Sequence, residues 1–382
     1  MSSWSLWPWP FFEERHRDLA ARVGAWSCPV DGEVHEAELG EACRAIARSL
    51  GAGGFLDCVV PREGEKVDVR AVCVAREAIS YTSVLADNVI AMQGIGTGAL
   101  WLHGTPEQKD AYLDPVRRGE RIAAFALTEP GAGSDVASIT TTARRDGGDY
   151  VLDGGKTFIS NAPFADHYIV VARTGEAPGA RGLTAFIVDA GTPGMVAGDP
   201  IHLMAPHPLA PLTFENCRVP AANVIGEPGK GFGIAMATFD IFRTSVGAAC
   251  VGMARRAMHE TLARMRERRL FNATMAEIPG VQTKLADMSI DLDLAALAVY
   301  RAAWVKDTTG GRCSREVSIA KFAGTEAAGR IIDAAVQLWG GLGVTRGSVV
   351  EQLYREVRPA RLYEGASEVQ KLVIARNLIA GA

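Results

Sequence analysis

From residue 11 to residue 120 apolar side chains recur at helical spacing. Phe12, Leu19 and Val23 fall on one face, and Leu39, Cys43, Ile46 and Leu50 on another. A turn-rich stretch, GAGGFLDCVVPREGEK, follows, and VRAVCVAREAISYTSVLADNVIAMQGIGTGALWL then predicts two buried helices. Thr105-Pro106-Glu107 opens another, with a hydroxyl at the cap and proline at the first helical position. At residue 121 the pattern changes. AAFALT, TTTARRDGGDYVLDGGKTFIS, HYIVVART, LTAFIVDA and LTFENCRV are short runs of Val, Ile, Thr and aromatics separated by Gly, Asp and Pro, which predicts antiparallel strands. After Gly226-Glu227-Pro228-Gly229 the helical period returns as one very long helix, GFGIAMATFDIFRTSVGAACVGMARRAMHETLARMRERRLF, and three more. The expected fold is α+β: an N-terminal helical domain over 1–120, a middle β-domain over 121–228 and a C-terminal four-helix bundle over 229–382.

Composition narrows the function. Hydrophobic residues make up 48%, charged residues 22% and the formal net charge is −4, so no basic footprint for nucleic acid is present. The seven cysteines form no CxxC pair, which points to free thiols in a reducing cytoplasm rather than a zinc site or disulfide framework, and no metal is expected. No uninterrupted apolar run is long enough to span a bilayer. The start, MSSWSLWPWPFFEERHRD, lacks the basic-then-apolar order of a signal peptide, and its tryptophans either dock on the body or form a loose tail.

Four stretches carry candidate chemistry, each with an ordinary structural alternative. In Leu127-Thr-Glu-Pro-Gly-Ala-Gly-Ser-Asp135, glycines and a proline bend the chain so that backbone N–H groups can approach a ligand; a plain β-turn has the same composition. In Asp153-Gly-Gly-Lys-Thr-Phe-Ile-Ser-Asn161, strand alternation puts Phe158 and Ser160 on one side, which suits a flat heteroaromatic ring or an ordinary core. Gln337-Leu-Trp-Gly-Gly-Leu-Gly343 ends a helix, as a cap or a contact. In Arg361-Leu-Tyr-Glu-Gly-Ala-Ser-Glu-Val-Gln370, Glu364 precedes the last helix, as a base or as a charge favoured by the helix dipole.

Together, in this order and over essentially the whole chain, these stretches resemble the acyl-CoA dehydrogenase family. The resemblance implies a middle antiparallel β-barrel, FAD as cofactor, an acyl-CoA substrate, electron-transfer flavoprotein as acceptor and a homotetramer or homodimer. By position it implies that Phe125, Leu127, Thr128, Gly133 and Ser134 line the flavin, with Ser134 also on the substrate side. Phe158, Ile159 and Ser160 match the strand at the isoalloxazine ring. Arg268 and Phe271, with Gln337, Gly340 and Gly341, match segments reaching the FAD of a neighbouring subunit, and Ala366 and Glu368 the turn closing on it. Asp240 and Arg243 match helix positions contacting coenzyme A, and Glu364, with Gly365 beside it, the catalytic base. The branch of the family that carries its base on the long helix would place it at Phe242, which takes no proton. The implied reaction is α-proton removal by Glu364 with β-hydride transfer to flavin N5, giving a trans-2-enoyl-CoA. An acyl-CoA oxidase or flavin monooxygenase on the same scaffold, or a non-catalytic CoA- and flavin-binding member, is the alternative.

Several positions depart from the family pattern. After Arg268 the chain reads Arg-Leu-Phe271-Asn272 where an aromatic-Gly pair is usual, and Gln282 comes three residues late. His202-Leu-Met-Ala-Pro-His-Pro-Leu-Ala-Pro lacks the usual Gly and Arg-Ser features, and Ala366 stands where Thr is common. Gly94, Gly96 and Gly98 lie in a helical segment, either to make room for a bulky acyl group or for close helix packing. No Lys or Arg occurs between Arg76 and Lys109, which disfavours an acidic acyl tail.

Overall fold

The computed structural model describes residues 4–381. In chain order the helices are α1 (Glu14–Gly24), α2 (Leu39–Ala52), α3 (Val69–Thr82), α4 (Val84–His103), α5 (Pro106–Arg117), α6 (Gly231–Glu267), α7 (Pro279–Thr309), α8 (Ser314–Trp339), α9 (Val349–Val357) and α10 (Ser367–Ile379). The strands are β1 (Ala123–Ala126), β2 (Thr142–Asp146), β3 (Asp149–Ser160), β4 (His167–Arg173), β5 (Leu183–Asp189), β6 (Met195–Ala197), β7 (Leu209–Pro220), β8 (Val224–Ile225), β9 (Arg269–Leu270) and β10 (Ala273–Thr274). They form two compact units, one from residues up to Ser27, Asp68–Asp87 and residues from Asp240 on, the other from Cys28–Val67 and Asn88–Phe239.

The first unit is helical. Its longest elements are α7, α8 and the greater part of α6; α8 packs against α7, α9 and α10, and α3 against α1 and α7. By length and composition α6 could cross a membrane, but 72% of its apolar stretch is buried inside the protein, as in a core helix. The tryptophan-rich start docks here. Trp4 and Trp7 each donate an indole N–H to Glu77, at 3.1 and 3.2 Å, and the Arg255 guanidinium lies 4.7 Å from the Trp7 ring centroid. Tyr300 Oη and Arg255 Nη1 also donate to Glu77, so the buried carboxylate gathers four donors from three separate segments.

The second unit is built on an eight-stranded sheet ordered β6-β7-β3-β2-β4-β5-β8, with β1 beside β4. Most pairs are antiparallel, as expected, but β1 joins β4 in parallel and β2 touches β4 in parallel at Thr142↔Arg173. The expected barrel is therefore corrected to an open sheet. Its two ends are the short strands β6 and β8, which pair with β7 and β5 respectively and leave little edge to join. Before the sheet, α5 starts as its sequence predicts: Thr105 Oγ1 accepts from the Gln108 N–H, Gln108 reciprocates and Pro106 follows the cap. Close packing accounts for two helix glycines. A Cβ on Gly96 would lie 2.6 Å from the Ala123 Cβ, and one on Gly98 would run into the Thr238 side chain.

Candidate active site

In the second unit the glycine loop after β1 is fastened from within. Glu129, 5% exposed, accepts from the Thr140 N–H (2.6 Å), Thr140 Oγ1 (2.8 Å), the Thr141 N–H (2.9 Å) and Lys156 Nζ (2.8 Å). Lys156 also donates to the Leu127 carbonyl at 3.1 Å, and the Thr157 N–H to that of Thr128 at 2.9 Å. With both ends bound, Gly131, Gly133 and Ser134 stand exposed, Thr128 is half-buried, and Phe125 and Leu127 turn into the core. Phe125 packs edge-on against Phe239, centroids 5.4 Å apart.

Strand β3 is irregular here. Its register against β7 shifts between Lys156 and Ile159, and Phe158 adopts φ 55°. The bulge leaves the Phe158 ring 56% exposed while Ile159 is buried. Ser160 Oγ lies 2.9 Å from His207 Nε2, a residue in the stretch that departs from the family pattern. Burial pushes the His207 imidazole down to about 4, so it is neutral near pH 7.

In the first unit Glu364 lies on a turn between a short helix, Arg358–Arg361, and α10, with φ 52°, followed by Gly365 at 92°. Its carboxyl Oε2 is buried without a hydrogen-bond partner. Burial raises its pKa; the nearby cations Arg76, Arg243 and Lys321 oppose this and Asp87 adds to it. Arg243 Nε donates to the Glu364 carbonyl at 2.9 Å, and its Nη1 lies 3.5 Å from Asp240 Oδ1. Arg76 is paired with Asp87 through two 2.8 Å bonds, so its charge is already matched. Phe242 is fully buried. Ala366 is the N-cap of α10 and offers no side-chain cap bond.

The remaining candidates lie at the far ends of α6 and α8. Arg268 is followed by the hairpin of β9 and β10, whose turn residues Phe271 and Asn272 have φ 51° and 66°. Such a turn requires the left-handed region at both positions, and asparagine fills the second as glycine does in the usual pattern. Phe271 at the tip is 93% exposed. Gln337, Gly340, Gly341 and, on α10, Glu368 are exposed, and Gln282 turns back to the Ala276 carbonyl at 2.9 Å.

Among the described residues, the non-glycine positions with positive φ are Asn161, Asn216 and Asn272 together with Phe158, Phe271 and Glu364. Asparagine visits this region at little cost; phenylalanine and glutamate do so where the surroundings enforce it, which is common at functional sites. All three strained residues are among those singled out in the sequence. Glu129, Lys156, Lys321 and His207 were not: the first two lie inside the four candidate stretches but were given no role there, Lys321 lies outside them, and His207 falls in the stretch that departs from the family pattern.

An exposed ring on a bulged strand, a loop bound inside and open outside, and a buried carboxyl of raised pKa suit a flavin-dependent oxidoreductase that removes a carbon-bound proton. Comparison with known proteins agrees. Residues 13–120, 124–217 and 229–379 match the acyl-CoA dehydrogenase N-terminal, middle and C-terminal domains. The chain is 39% identical to a 3-(aryl)acrylate reductase of Clostridium sporogenes, spanning 97% of this chain and 100% of that protein. It is 36% identical to the CarC subunit of a caffeyl-CoA reductase-Etf complex of Acetobacterium woodii, spanning 90% of this chain and 91% of that one. The structure of butyryl-CoA dehydrogenase from Megasphaera elsdenii superposes with a TM-score of 0.88 at 30% identity, covering 96% of this chain and 99% of that one. The chain belongs to the acyl-CoA dehydrogenase family. It is an oxidoreductase acting on CH–CH groups, and its cofactor is FAD.

Proposed function

We propose that the enzyme interconverts an acyl-CoA thioester and its trans-2-enoyl-CoA, with Glu364 as the base at the α-carbon. The observation that carries this is the buried, unpartnered Oε2 of Glu364 on a strained turn, with its pKa raised by burial. Its oxygen takes the α-proton, and its backbone N–H serves as a donor to the thioester carbonyl oxygen. FAD, when bound, supplies the acceptor for the β-hydride. Phe125, Leu127, Thr128, Gly133, Ser134, Phe158, Ile159 and Ser160 would hold it from one subunit, with Ala366 and Glu368 at the closing turn. Asp240, Arg243, Ser134 and Gly365 would contact the substrate.

Arg268, Phe271, Gln337, Gly340 and Gly341 would reach the FAD of a neighbouring subunit, in a homodimer or homotetramer. Their exposure in the single chain supports this, as do exposed Ile290, Leu294 and Leu297 on α7 and Leu378 and Ile379 on α10. The domain division 1–120, 121–228 and 229–382 belongs to the same reading. So do a cytoplasmic setting, supported by seven free cysteines, and an electron-transfer flavoprotein partner, supported by the Etf-linked relative. The arylacrylate reductase relative favours an aryl acyl group and the reductive direction, and the butyryl-CoA dehydrogenase a short chain.

A panel of short-chain and 3-arylpropionyl-CoA thioesters is added to the purified protein under nitrogen. Flavin bleaching by at least one is expected; fast recolouring in air would mark an oxidase. No bleaching by any thioester, and no reoxidation of reduced enzyme by the matching enoyl thioesters, would defeat the proposal.

A further inference from the structure

Successive main-chain carbonyls around Glu364 are held by long polar side chains. Lys321 Nζ donates to the carbonyl oxygens of Tyr363, at 2.9 Å, and Gly365, at 2.7 Å. Arg243 Nε donates to the one between them, the Glu364 carbonyl, at 2.9 Å. Gln370 Nε2 adds a second bond to the Gly365 carbonyl, also at 2.9 Å. Lys321 is fully buried, an uncommon place for a lysine, and its ammonium is directed at the two peptide groups that bracket the proposed base.

The geometry follows from a close helix crossing. A Cβ on Gly247 of α6 would lie 2.7 Å from the Ala320 carbonyl oxygen, and one on Gly324 of α8 would lie 2.6 Å from the Gly247 Cα. Glycine at both positions lets the two backbones approach this near. Arg243 stands one turn before Gly247, and Lys321 one turn before Gly324. The crossing thus fixes where both cations meet the turn. The turn needs them: left-handed backbone is unfavourable for a glutamate and persists when bonds from outside hold it.

Charge acts in the same direction. Lys321 is among the cations that oppose the burial of the Glu364 carboxyl, with Arg76 of α3 and Arg243 of α6, while Asp87 of α4 reinforces it. Burial brings Lys321 down to about 8; Glu364, Cys250 of α6 and Glu326 of α8 raise it and Arg243 lowers it.

Resting on the reading of Glu364 as the base, we infer that Lys321 is a positioning residue for proton abstraction, clamping the peptide groups on both sides of Glu364 so that its carboxyl meets the α-carbon in one orientation. Lys321→Met and Lys321→Gln are compared with the wild-type holoenzyme, with Glu364→Gln alongside. Bound-flavin absorbance, the anaerobic bleaching rate with a thioester that reduces wild type, and the acid limb of kcat/KM are measured. Lys321→Met keeps FAD but bleaches on the order of 10²-fold more slowly, the scale of a small misplacement of a catalytic group. Its acid limb moves to higher pH, because losing a cation makes the carboxyl harder to ionise. Lys321→Gln keeps an N–H donor without the charge. It recovers part of the rate and retains the raised limb, a split that a purely structural lysine would not produce. If Lys321→Met does not fold, Lys321→Gln carries the same test. A folded variant that bleaches within about threefold of wild type with an unmoved limb overturns the inference. If that happens while Glu364→Gln is inactive, the lysine's role alone falls. If Glu364→Gln bleaches like wild type, the base assignment falls and the positioning role with it.

Discussion

Replacing Lys156 by methionine removes the cation from a carboxylate that the fold buries. The ion pair to Glu129 is 2.8 Å long, and its side chains are 0% and 4% exposed. Burial pushes the Glu129 carboxyl up, yet hydrogen bonds from Lys156, Thr141 and Thr140 and the lysine charge outweigh it, holding the group at about 2 against an ordinary 4.5. That difference corresponds to about 3 kcal/mol of folding stability near neutral pH. Lys156 gives the opposite sign: burial outweighs its carboxylate partner and brings it down to about 8. The two differ because Glu129 collects further bonds from Thr140 and Thr141, which remain when Lys156 is replaced. Lys156→Met is expected to cost about 3 kcal/mol, the low end for breaking a buried pair, since those bonds survive. Adding Glu129→Leu to it should recover only part of that stability: no uncompensated charge remains, but the Thr140 and Thr141 N–H groups lose their acceptor. In both, the loop from Leu127 to Asp135 loses the Lys156 bonds to the Leu127 carbonyl and to Glu129, so both should release FAD more readily than wild type. Urea denaturation gives the stability and flavin fluorescence the release. A single variant within about 1 kcal/mol of wild type that holds FAD normally would refute the reasoning.

Other outcomes follow from the same geometry. Glu364→Gln should keep fold and flavin and lose anaerobic bleaching by ~10²–10⁴-fold or more, as measured by stopped flow, since Phe242 offers no substitute base. The Glu364 pKa is raised, so kcat/KM should fall as pH drops through a limb above the ordinary carboxylate range; a limb at or below that range would contradict its burial. Glu129 has the opposite shift. Its stabilisation is full above its unfolded value and should be lost as pH falls from about 4.5 towards 2, which acid titration of unfolding would detect. Gly98→Ala should cost about 1–3 kcal/mol in urea denaturation, because its Cβ has no room beside Thr238. Arg268→Ala should weaken FAD retention with little effect on the unfolding midpoint, given its exposure beyond the end of α6.

Part of the candidate site was legible before the fold was known. The LTEPGAGSD, KTFISN and LYEGASEVQ stretches singled out Phe158 and Glu364, both of which adopt left-handed backbone, and the change from helical to strand period located the sheet between the helices. The departures in the sequence also had structural counterparts. Phe271-Asn272 is a hairpin turn in which asparagine tolerates the conformation that glycine usually takes, and the unfamiliar stretch from His202 delivers His207 to Ser160.

The sequence by itself determined what local rules encode: helical and strand periods, the Thr105 cap, and the order of motifs that place the chain in its family. Tertiary structure decided what depends on residues far apart. Lys156 reaches Glu129 across 27 positions and Lys321 reaches Tyr363 across 42, and neither lysine differs in sequence from a solvent-exposed one. Whether Gly96 and Gly98 make room for a ligand or for a closely packed neighbour depended on Ala123 and Thr238. Whether the strands close into a barrel depends on pairing between edges far apart in sequence, and here β6 and β8 remain the two ends of an open sheet. The left-handed backbone at Glu364 arises for the same reason. Side-chain chemistry disfavours it locally, and it exists because bonds from other segments hold it in place.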